Sequence, residues 1–303
     1  MPTVSANGTQ LYYEIHGDGS PVMLVPGLGG LGAYWRPQVA SFSKRYRVVL
    51  HDHRGCGQSE RARIEYSEPV NKPRGRGAPR LRRGAPNDEG LGGRPEPPLY
   101  SVEQMAADTL GLMDALGLAR AHFVGHSTGG AIGQILALEH PHRLASLVLA
   151  NTWTKADSFF HWCFEVRKEL LVKSGIAAYQ HAAPLFLYPS WYISRHGERL
   201  RAEWAASVAG FTTVEIATRR IDAILAFDRS AKLGAITTPT LVIGARDDVL
   251  TPAYFSEELA RMIPGARLVL LETGAHACSQ TVPDEFDRHV LGFLDAADHR
   301  VAR

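Results

Sequence analysis

Short apolar runs that end in glycine-rich or polar turns alternate along this chain with amphipathic helical patterns. Such runs are typical of buried strands, and strands that alternate with helices favour a parallel sheet covered by helices on both faces. Alternating apolar and polar residues at 4–17, interrupted by an Asn-Gly pair, predict an antiparallel hairpin at the sheet edge. The apolar runs are PVMLVPG (21–27), YRVVLHDHRG (46–55), AHFVGHS (121–127), SLVLAN (146–151), PTLVIGARDD (239–248) and ARLVLLETGAH (266–276). Together with the hairpin they predict an α/β fold with an eight-stranded, mostly parallel sheet.

Two stretches interrupt this alternation. Residues 152–235 contain helical, aromatic segments such as FFHWCFEVRKELLVKSG with no strand between them. We predict a helical cap inserted between two strands; the alternative is a separate helical domain that has no bearing on chemistry. Residues 61–98 are rich in Pro, Gly and Arg and have little to bury, which predicts an irregular surface loop that either covers a site or is a passive insertion. The α/β core then comprises 1–151 and 236–303.

The charge of the chain is concentrated in one segment. Of the 303 residues, 33 are basic and 31 acidic, but residues 61–98 alone hold nine basic and five acidic residues. The remainder has 24 basic and 26 acidic residues, so the body has no basic excess and we predict no nucleic-acid partner. We also predict no membrane association, because no apolar run is long enough to span a bilayer.

The three cysteines are odd in number and far apart. This argues against a disulfide framework or a zinc site and indicates a reducing compartment. The N-terminal stretch has neither a basic start nor an apolar core, so no signal peptide is expected. We therefore expect a cytoplasmic protein.

A serine lies between two glycines where an apolar run meets a helical pattern. Gly125, Ser127 and Gly129 fit G-x-S-x-G in the required context of strand followed by helix. A sharp turn of this kind leaves no room for side chains beside the nucleophile and holds the serine in a strained backbone conformation. Taken alone, the pattern is also compatible with a small-residue turn that packs a helix on a sheet.

An acid and a histidine follow in the order that such a nucleophile requires. GARDDVLTP, after one apolar run, offers Asp247 and Asp248, and ETGAHACSQ, after the next run, offers His276. We prefer Asp248 as the acid and retain Asp247 as the alternative. A neutral histidine accepts the serine proton and a buried acid holds its tautomer, so Ser127, His276 and Asp248 are the predicted catalytic residues.

The glycine-rich segment VPGLGGLGAYW (25–35) follows the first core strand. We predict that the backbone N–H groups of Leu28 and Thr128 form an oxyanion hole. A phosphate-binding loop is the alternative, but its glycine spacing is missing. His51, Asp52 and His53 suggest a metal site, yet further ligands nearby are lacking. We therefore expect neither metal nor cofactor, and we interpret Asp52 and Arg54 as residues that tie down a loop.

The motifs PGLGG, DHRGCGQS, GHSTGG, ARDDVLTP and GAHA occur in this order. In residues 4–60 and 99–297 the chain resembles the α/β-hydrolases, whose oxyanion loop, strand-4 loop, nucleophile elbow, acid and histidine these motifs match. The cap segments CFEVR and PLFLYP, and Cys278 after the histidine, are similar to the aminoacrylate (carbamate-type) hydrolases of the Rut pyrimidine-degradation pathway. That similarity implies a small polar acid or amide substrate. The 61–98 insertion departs from that group.

Several cap residues are candidates for substrate binding. Their guanidinium groups suit a carboxylate and their rings suit an apolar pocket, although packing within the cap or exposure to solvent is the alternative for each. The arginines are Arg167, Arg219 and Arg220, and the aromatic residues are Trp153, Phe159, Trp162 and Phe186.

The sequence therefore predicts a cofactor-independent serine hydrolase that cleaves an ester, lactone, amide or carbamate bond of a small, carboxylate-bearing metabolite through a Ser-His-Asp triad and an acyl-enzyme. Two alternatives stay open. One is hydrolysis of a carbon–carbon bond in a keto acid by the same triad, and the other is a non-catalytic receptor for a small molecule on the same fold. Nothing in the sequence indicates an oligomeric state, although a homodimer is compatible with it.

Overall fold

The computed structural model describes residues 2–61 and 99–301. The predicted irregular loop at 61–98 lies outside the described residues, apart from Arg61. Among the described helices, none has the length and apolar character needed to cross a membrane.

The described residues form one sheet with the strand order β1-β2-β4-β3-β5-β6-β7-β8. β1 pairs with β2, and β2 with β4, in antiparallel register, and every other neighbouring pair is parallel. The strands are Thr3–Ala6 (β1), Thr9–His16 (β2), Ser20–Val25 (β3), Tyr46–His51 (β4), Ala121–His126 (β5), Leu144–Ala150 (β6), Thr240–Ala245 (β7) and Arg267–Leu271 (β8). The predicted eight-stranded, mostly parallel sheet is confirmed.

The central strands are buried on both faces, which is why they read as continuous apolar runs. All six residues of β5 and all six of β7 are buried. The edge hairpin turns at Asn7 and Gly8, both with positive φ (48° and 71°), as a tight hairpin turn requires. The predicted edge hairpin is therefore confirmed.

Helices cover both faces of the sheet. Helices α1 and α9 share one apolar core that includes Trp35, Phe42 and Phe286, and α2, α3 and α7 pack on the opposite face. The helices are Arg36–Phe42 (α1), Val102–Ala115 (α2), Thr128–Glu139 (α3), Ser158–Leu187 (α4), Ser190–Ala209 (α5), Val214–Ala226 (α6), Ala253–Met262 (α7), Cys278–Thr281 (α8) and Pro283–Val301 (α9).

Three of these helices, α4, α5 and α6, lie between β6 and β7 in the chain, with no described strand among them. α4 packs against both α5 and α6. It changes direction at Gly175, whose φ of 86° is poorly tolerated by other residues. This arrangement is the helical insertion described below as the cap.

Candidate active site

Ser127 occupies the single residue between β5 and α3. Its φ of 54° and ψ of −116° place it in the left-handed region, where a residue other than glycine carries strain on the order of 1–3 kcal/mol. Two contacts hold this conformation: the Ser127 N–H donates to the Ala150 carbonyl at 2.8 Å, and its carbonyl accepts from Thr152 Oγ1 at 2.8 Å. The neighbouring strand β6 and its end thus fix the strained turn.

The two flanking glycines are required by close backbone contacts. A Cβ on Gly125 would lie 2.2 Å from the Gly129 carbonyl oxygen, and a Cβ on Gly129 would lie 2.2 Å from the Val25 carbonyl oxygen. Real Cβ atoms do not approach backbone so closely. The glycines of the G-x-S-x-G pattern therefore allow β3, β5 and α3 to meet at the serine.

We expect Gly129→Ala to destabilise the protein by at least about 1–3 kcal/mol, because the methyl group overpacks rigid backbone. Urea denaturation measures the change in the free energy of unfolding. Gly292→Ala is the matched control, because a Cβ at this position in α9 would meet no atom within 4 Å. Alanine there should be neutral or stabilising by up to about 1 kcal/mol. Equal stability of the two variants would contradict the steric explanation.

His276 lies in the loop after β8 and makes a buried contact with Asp248. His276 Nδ1 is 2.9 Å from Asp248 Oδ2 and 3.1 Å from Thr251 Oγ1. Asp248 also accepts hydrogen bonds from the N–H groups of Leu250 and Thr251, at 2.7 and 2.9 Å, and from Asn151 Nδ2, at 2.9 Å. Every one of these contacts suits an ionised carboxylate, which only accepts.

The ionisation of Asp248 fixes the tautomer of His276. Burial by itself would raise the pKa of Asp248, but its interaction with His276 and the hydrogen bonds from Asn151 and Thr251 hold this pKa below its ordinary value. Because the carboxylate accepts, Nδ1 of His276 carries the proton. With the Nδ1 proton directed to Asp248, a neutral His276 ring has its lone pair on Nε2, the form that can accept a proton from a serine.

Asp247 has a different set of partners. Its carboxylate accepts from Thr273 Oγ1 at 2.6 Å, from the Ala275 N–H at 2.8 Å and from the Gly274 N–H at 3.3 Å. It thereby ties down the loop that carries His276 but does not contact the imidazole. Of the two candidate acids, Asp248 is the one that the geometry brings to His276.

Of the two predicted oxyanion donors, Leu28 lines the same cavity as Ser127, and Thr128 directly follows Ser127 in the chain. Leu28 lies in the turn after β3, which the Gly30 N–H closes by donating to the Gly27 carbonyl at 3.0 Å. Thr128 is the first residue of α3, where the helix dipole favours negative charge. Within residues 2–61 and 99–301, neither the Leu28 nor the Thr128 N–H donates to another protein group. Both N–H groups therefore have hydrogen-bonding capacity to spare.

Ser127, His276 and Leu28 line one cavity of about 360 Å³ beneath the cap. The described contacts include no hydrogen bond between the Ser127 hydroxyl and the His276 ring. The cap contributes aromatic and polar side chains to the lining, including Phe164, Arg167, Tyr179, Gln180, Ser207, Phe211 and Thr212. A larger cavity of about 740 Å³ lies between α4 and α5. It contains none of the predicted catalytic residues, so we assign the site to the smaller one.

Arg167 is the one Lys, Arg, Asp or Glu among the described residues that line this cavity. It is only 6% exposed, and its Nη2 donates to the Tyr179 hydroxyl at 2.9 Å. Its guanidinium carbon lies 4.9 Å from the ring centre of Phe164 and 5.2 Å from those of Tyr179 and Phe186. No carboxylate of the described residues forms an ion pair with it, so the cavity wall has an excess positive charge.

A family model described as the alpha/beta hydrolase fold matches residues 20–177, more than half of the chain. The chain belongs to the α/β-hydrolases. It is 40% identical over 298 residues to a protein of Azorhizobium caulinodans named "Putative carbamate hydrolase RutD", covering 98% of this chain and 100% of that protein. A Caulobacter vibrioides protein with the same name is 40% identical over 291 residues, with 95% and 96% coverage. The resemblance to Rut-type hydrolases seen in the cap motifs is confirmed.

Solved structures agree with this family. The enol-lactonase from Burkholderia xenovorans LB400 superimposes with a TM-score of 0.79 at 29% identity, covering 97% of this chain and 100% of that one. A thermophilic esterase from Thermogutta terrifontis has a TM-score of 0.75 at 22% identity, with 97% coverage of both chains, and shows the fold alone. This α/β-hydrolase is a hydrolytic enzyme, as the sequence predicted.

The aromatic candidates of the cap lie away from the cavity lining. Trp153 is fully buried, and its ring packs on Phe160 at 4.7 Å between centroids. Trp162 is 72% exposed and Phe159 is 44% exposed, because both lie on the outer face of α4. Phe186 is half-buried and outside the cavity lining, and its ring contacts the guanidinium of Arg167. Whether an aromatic ring lines the cavity depends on the helix face that carries it, and the packing of the cap determines where that face points.

Two of the three candidate arginines also lie outside the lining of the cavity. Arg219 is exposed and pairs with Glu215 at 3.3 Å along α6. Arg220 is buried, but it points to the carbonyl of Leu28 rather than into the cavity. Adjacent side chains of a helix point in directions about 100° apart, so Arg219 and Arg220 cannot point the same way. Of the three arginines, only Arg167 lines the site.

The sequence analysis did not identify Asn151 and Thr251, which support the acid. Asn151, with a φ of 46°, directly follows β6 and donates to Asp248 as well as to the Ala275 carbonyl at 3.2 Å. A polar residue at the carboxyl end of a strand next to β7 was the available signal, because parallel strands end at the same edge. For Thr251 the signal was its position three residues after the acid, within one turn.

The sequence analysis also did not identify His126, the residue before Ser127. Its ring stacks on Tyr34 at 4.5 Å, and its Nε2 lies 2.8 Å from the His276 carbonyl oxygen. Burial, with a smaller contribution from His276, lowers the pKa of His126 to about 3, so the ring is neutral at pH 7 and donates from Nε2. It thereby braces the loop that presents His276.

The segment around His51, Asp52 and His53 ties loops together. Asp52 accepts from the Gly32 N–H at 2.8 Å and from the Gln58 N–H at 2.9 Å, and Arg54 pairs with Asp108 through two hydrogen bonds. The interpretation of Asp52 and Arg54 as loop ties is therefore confirmed. No cluster of three or more potential metal ligands occurs in the part of the chain that the structure describes.

Proposed function

We propose that this α/β-hydrolase is a cofactor-independent serine hydrolase that cleaves a small, carboxylate-bearing metabolite through an acyl-enzyme. The observation that carries the proposal is the shared cavity: a serine on a strained strand-to-helix turn and a histidine held by a buried aspartate both line it. This combination matches the roles of nucleophile, base and orienting acid.

In the first half of the reaction, Ser127 Oγ attacks the acyl carbon and its proton passes to Nε2 of His276. Approach of these two groups accompanies substrate binding, since catalytic hydrogen bonds commonly tighten only in the complex. Asp248 stabilises the imidazolium that forms. The N–H groups of Leu28 and Thr128 stabilise the oxyanion, and removal of one such donor typically costs about 10²- to 10³-fold in rate.

Collapse of the tetrahedral intermediate breaks the scissile bond. His276 returns the proton to the departing nitrogen or oxygen, which leaves as an amine or alcohol, and the acyl group remains on Ser127. Water then enters, loses a proton to His276 and attacks the acyl-enzyme. The second tetrahedral intermediate then breaks its bond to Ser127 Oγ, which takes the proton back from His276 as the acid leaves. The cycle therefore needs no cofactor.

Among the bonds that the sequence left open, we favour a carbamate or amide bond. The support comes from the relatives named as carbamate hydrolases, which are 40% identical over nearly the whole chain. Because the enol-lactonase is 29% identical to this chain, lactones are the next class of substrate to assay. The cavity volume of about 360 Å³ lies at the small end of ligand pockets and suits a small metabolite.

Arg167 supports a carboxylate on the substrate. A buried cation without an ionised partner is unfavourable, and an anionic substrate would supply that partner. The aromatic rings around the guanidinium restrict its position, while its remaining N–H groups stay available to a planar carboxylate. We therefore place the substrate carboxylate at Arg167 and the acyl carbon at Ser127.

A panel of small carbamates, amides, lactones and esters, each with and without a carboxylate, tests this function. We expect wild type to prefer the carboxylate-bearing members and Arg167→Met to lose that preference through a KM increase of about 10- to 100-fold, the usual range for a charge-assisted hydrogen bond. Arg195→Met, an exposed cap arginine stacked on Trp191, is the control. An unchanged preference in Arg167→Met would remove Arg167 from substrate binding.

A further inference from the structure

A buried arginine of the cap holds the loop that carries Leu28. Arg220 on α6 is 1% exposed, and its Nε and Nη2 both donate to the Leu28 carbonyl oxygen, at 3.1 and 3.0 Å. Its Nη2 also lies 2.9 Å from His53 Nδ1. Burial lowers the pKa of His53 well below its ordinary value, and the charge of Arg220 lowers it further, so this ring is neutral and accepts.

Arg220 has no ion-pair partner among the described carboxylates, and it is not part of the cavity lining. A buried guanidinium without a carboxylate is costly, and a well-packed apolar side chain often stabilises such a place at least as well. Three of its four described hydrogen bonds are directed to the Leu28 carbonyl and to the His53 ring beside that loop, and the fourth joins Nη1 to Met105 Sδ at 3.4 Å. This pattern indicates a role in the geometry of that loop.

The Leu28 loop has little else to fix the peptide that follows Leu28. Glycines occupy positions 27, 29 and 30, and a Cβ on Gly29 would meet no atom within 4 Å, so packing does not restrain it. The described backbone hydrogen bonds of the loop hold Gly30, whose N–H donates to Gly27 and whose carbonyl accepts from His53. The Leu28 carbonyl is held by Arg220.

We propose that Arg220 is a positioning residue that fixes the orientation of the Leu28 N–H in the oxyanion hole. The inference rests on the proposed serine hydrolase mechanism. Fixing the Leu28 carbonyl restricts rotation about the backbone bonds of that residue, and an oxyanion donor contributes only when it is oriented before the reaction. Because α6 belongs to the cap, the cap also takes part in assembling the catalytic site of the core.

Arg220→Met and Arg220→Lys test the proposal with p-nitrophenyl acetate, a neutral substrate that does not need Arg167. We expect kcat to fall about 10- to 100-fold with KM nearly unchanged, a part of the loss seen when an oxyanion donor is removed. The inhibition constant of a trifluoromethyl ketone, which forms a tetrahedral adduct with the serine, should rise by a similar factor. Arg195→Met should keep wild-type values for both.

A second measurement separates positioning from folding. Methylguanidinium added to Arg220→Ala should restore kcat several-fold, while it should not affect wild type or Arg195→Met. Should Arg220→Met fail to fold, Arg220→Lys and this rescue decide the matter, and absence of rescue in the folded alanine variant overturns the proposal. Wild-type kcat in Arg220→Met, or a rise in KM alone, also overturns it. In each of these outcomes wild type still shows a burst that depends on Ser127. Failure of the proposed function would instead remove that burst from wild type.

Discussion

Replacing Ser127 with alanine is expected to lower kcat by about 10⁴- to 10⁶-fold, because the oxyanion hole and substrate binding alone retain only a small residual activity. The measurement is the pre-steady-state burst with p-nitrophenyl acetate, in which wild type should release one equivalent of nitrophenol per active site before steady turnover. The variant should show no burst. It should fold normally, because the change removes one hydroxyl with no described hydrogen-bond partner.

Ser158→Ala provides the matched control, since Ser158 is exposed at the start of α4 and lies outside the cavity. It should keep the full burst and steady rate. A burst of wild-type size in Ser127→Ala would refute the nucleophile assignment. It would also withdraw the acyl-enzyme from the proposed mechanism, whatever the outcome for the other residues.

The second large effect is expected at the acid. Asp248→Asn should lower kcat by about 10⁴-fold, as the amide can donate to Nδ1 of His276 and so favour the wrong tautomer. The carboxylate of Asp248 accepts every one of its described hydrogen bonds, so an amide nitrogen placed there would also face donors from Leu250 and Thr251. Steady-state kinetics across pH 5 to 9 with a neutral ester measures the loss.

Asp247→Asn is the comparison that separates the two neighbouring acids. Asp247 accepts from the loop of His276 without touching the ring. We expect a lower melting temperature and a loss of activity of less than about 10-fold, since an amide oxygen keeps part of the acceptor role. A larger loss of kcat in Asp247→Asn than in Asp248→Asn would reverse the assignment of the acid.

The alternation of apolar runs and helical patterns was sufficient to predict the sheet, because strands buried on both faces must be apolar throughout. The ends of α2 also follow from local residue types: Ser101 before the helix accepts from the Gln104 N–H at 3.0 Å, and Gly117 after it has a φ of 66°. The position of Ser127 between glycines was readable for a similar local reason. Where a backbone turn has no space for a Cβ, only glycine fits, so the turn can be recognised from the sequence.

Other features could not be derived from local patterns. Asp247 and Asp248 are chemically equivalent in the sequence. Only the path of the turn after β7 directs Asp248 to the His276 ring and Asp247 to the backbone of the loop that carries it. Arg219 and Arg220 differ likewise: one faces solvent and the other the Leu28 carbonyl. Their directions depend on how α6 rotates against the core.

The sequence by itself determined the strands, the hairpin and the presence of a serine between glycines, an acid and a histidine at strand ends, because periodicity and steric limits act over a few neighbouring residues. The tertiary structure decided which aspartate meets the histidine, that Arg167 rather than Arg220 lines the cavity, and that Asn151 supports the acid. Those outcomes depend on the packing of helices and loops far apart in the chain, where a small rotation changes the group that a side chain contacts.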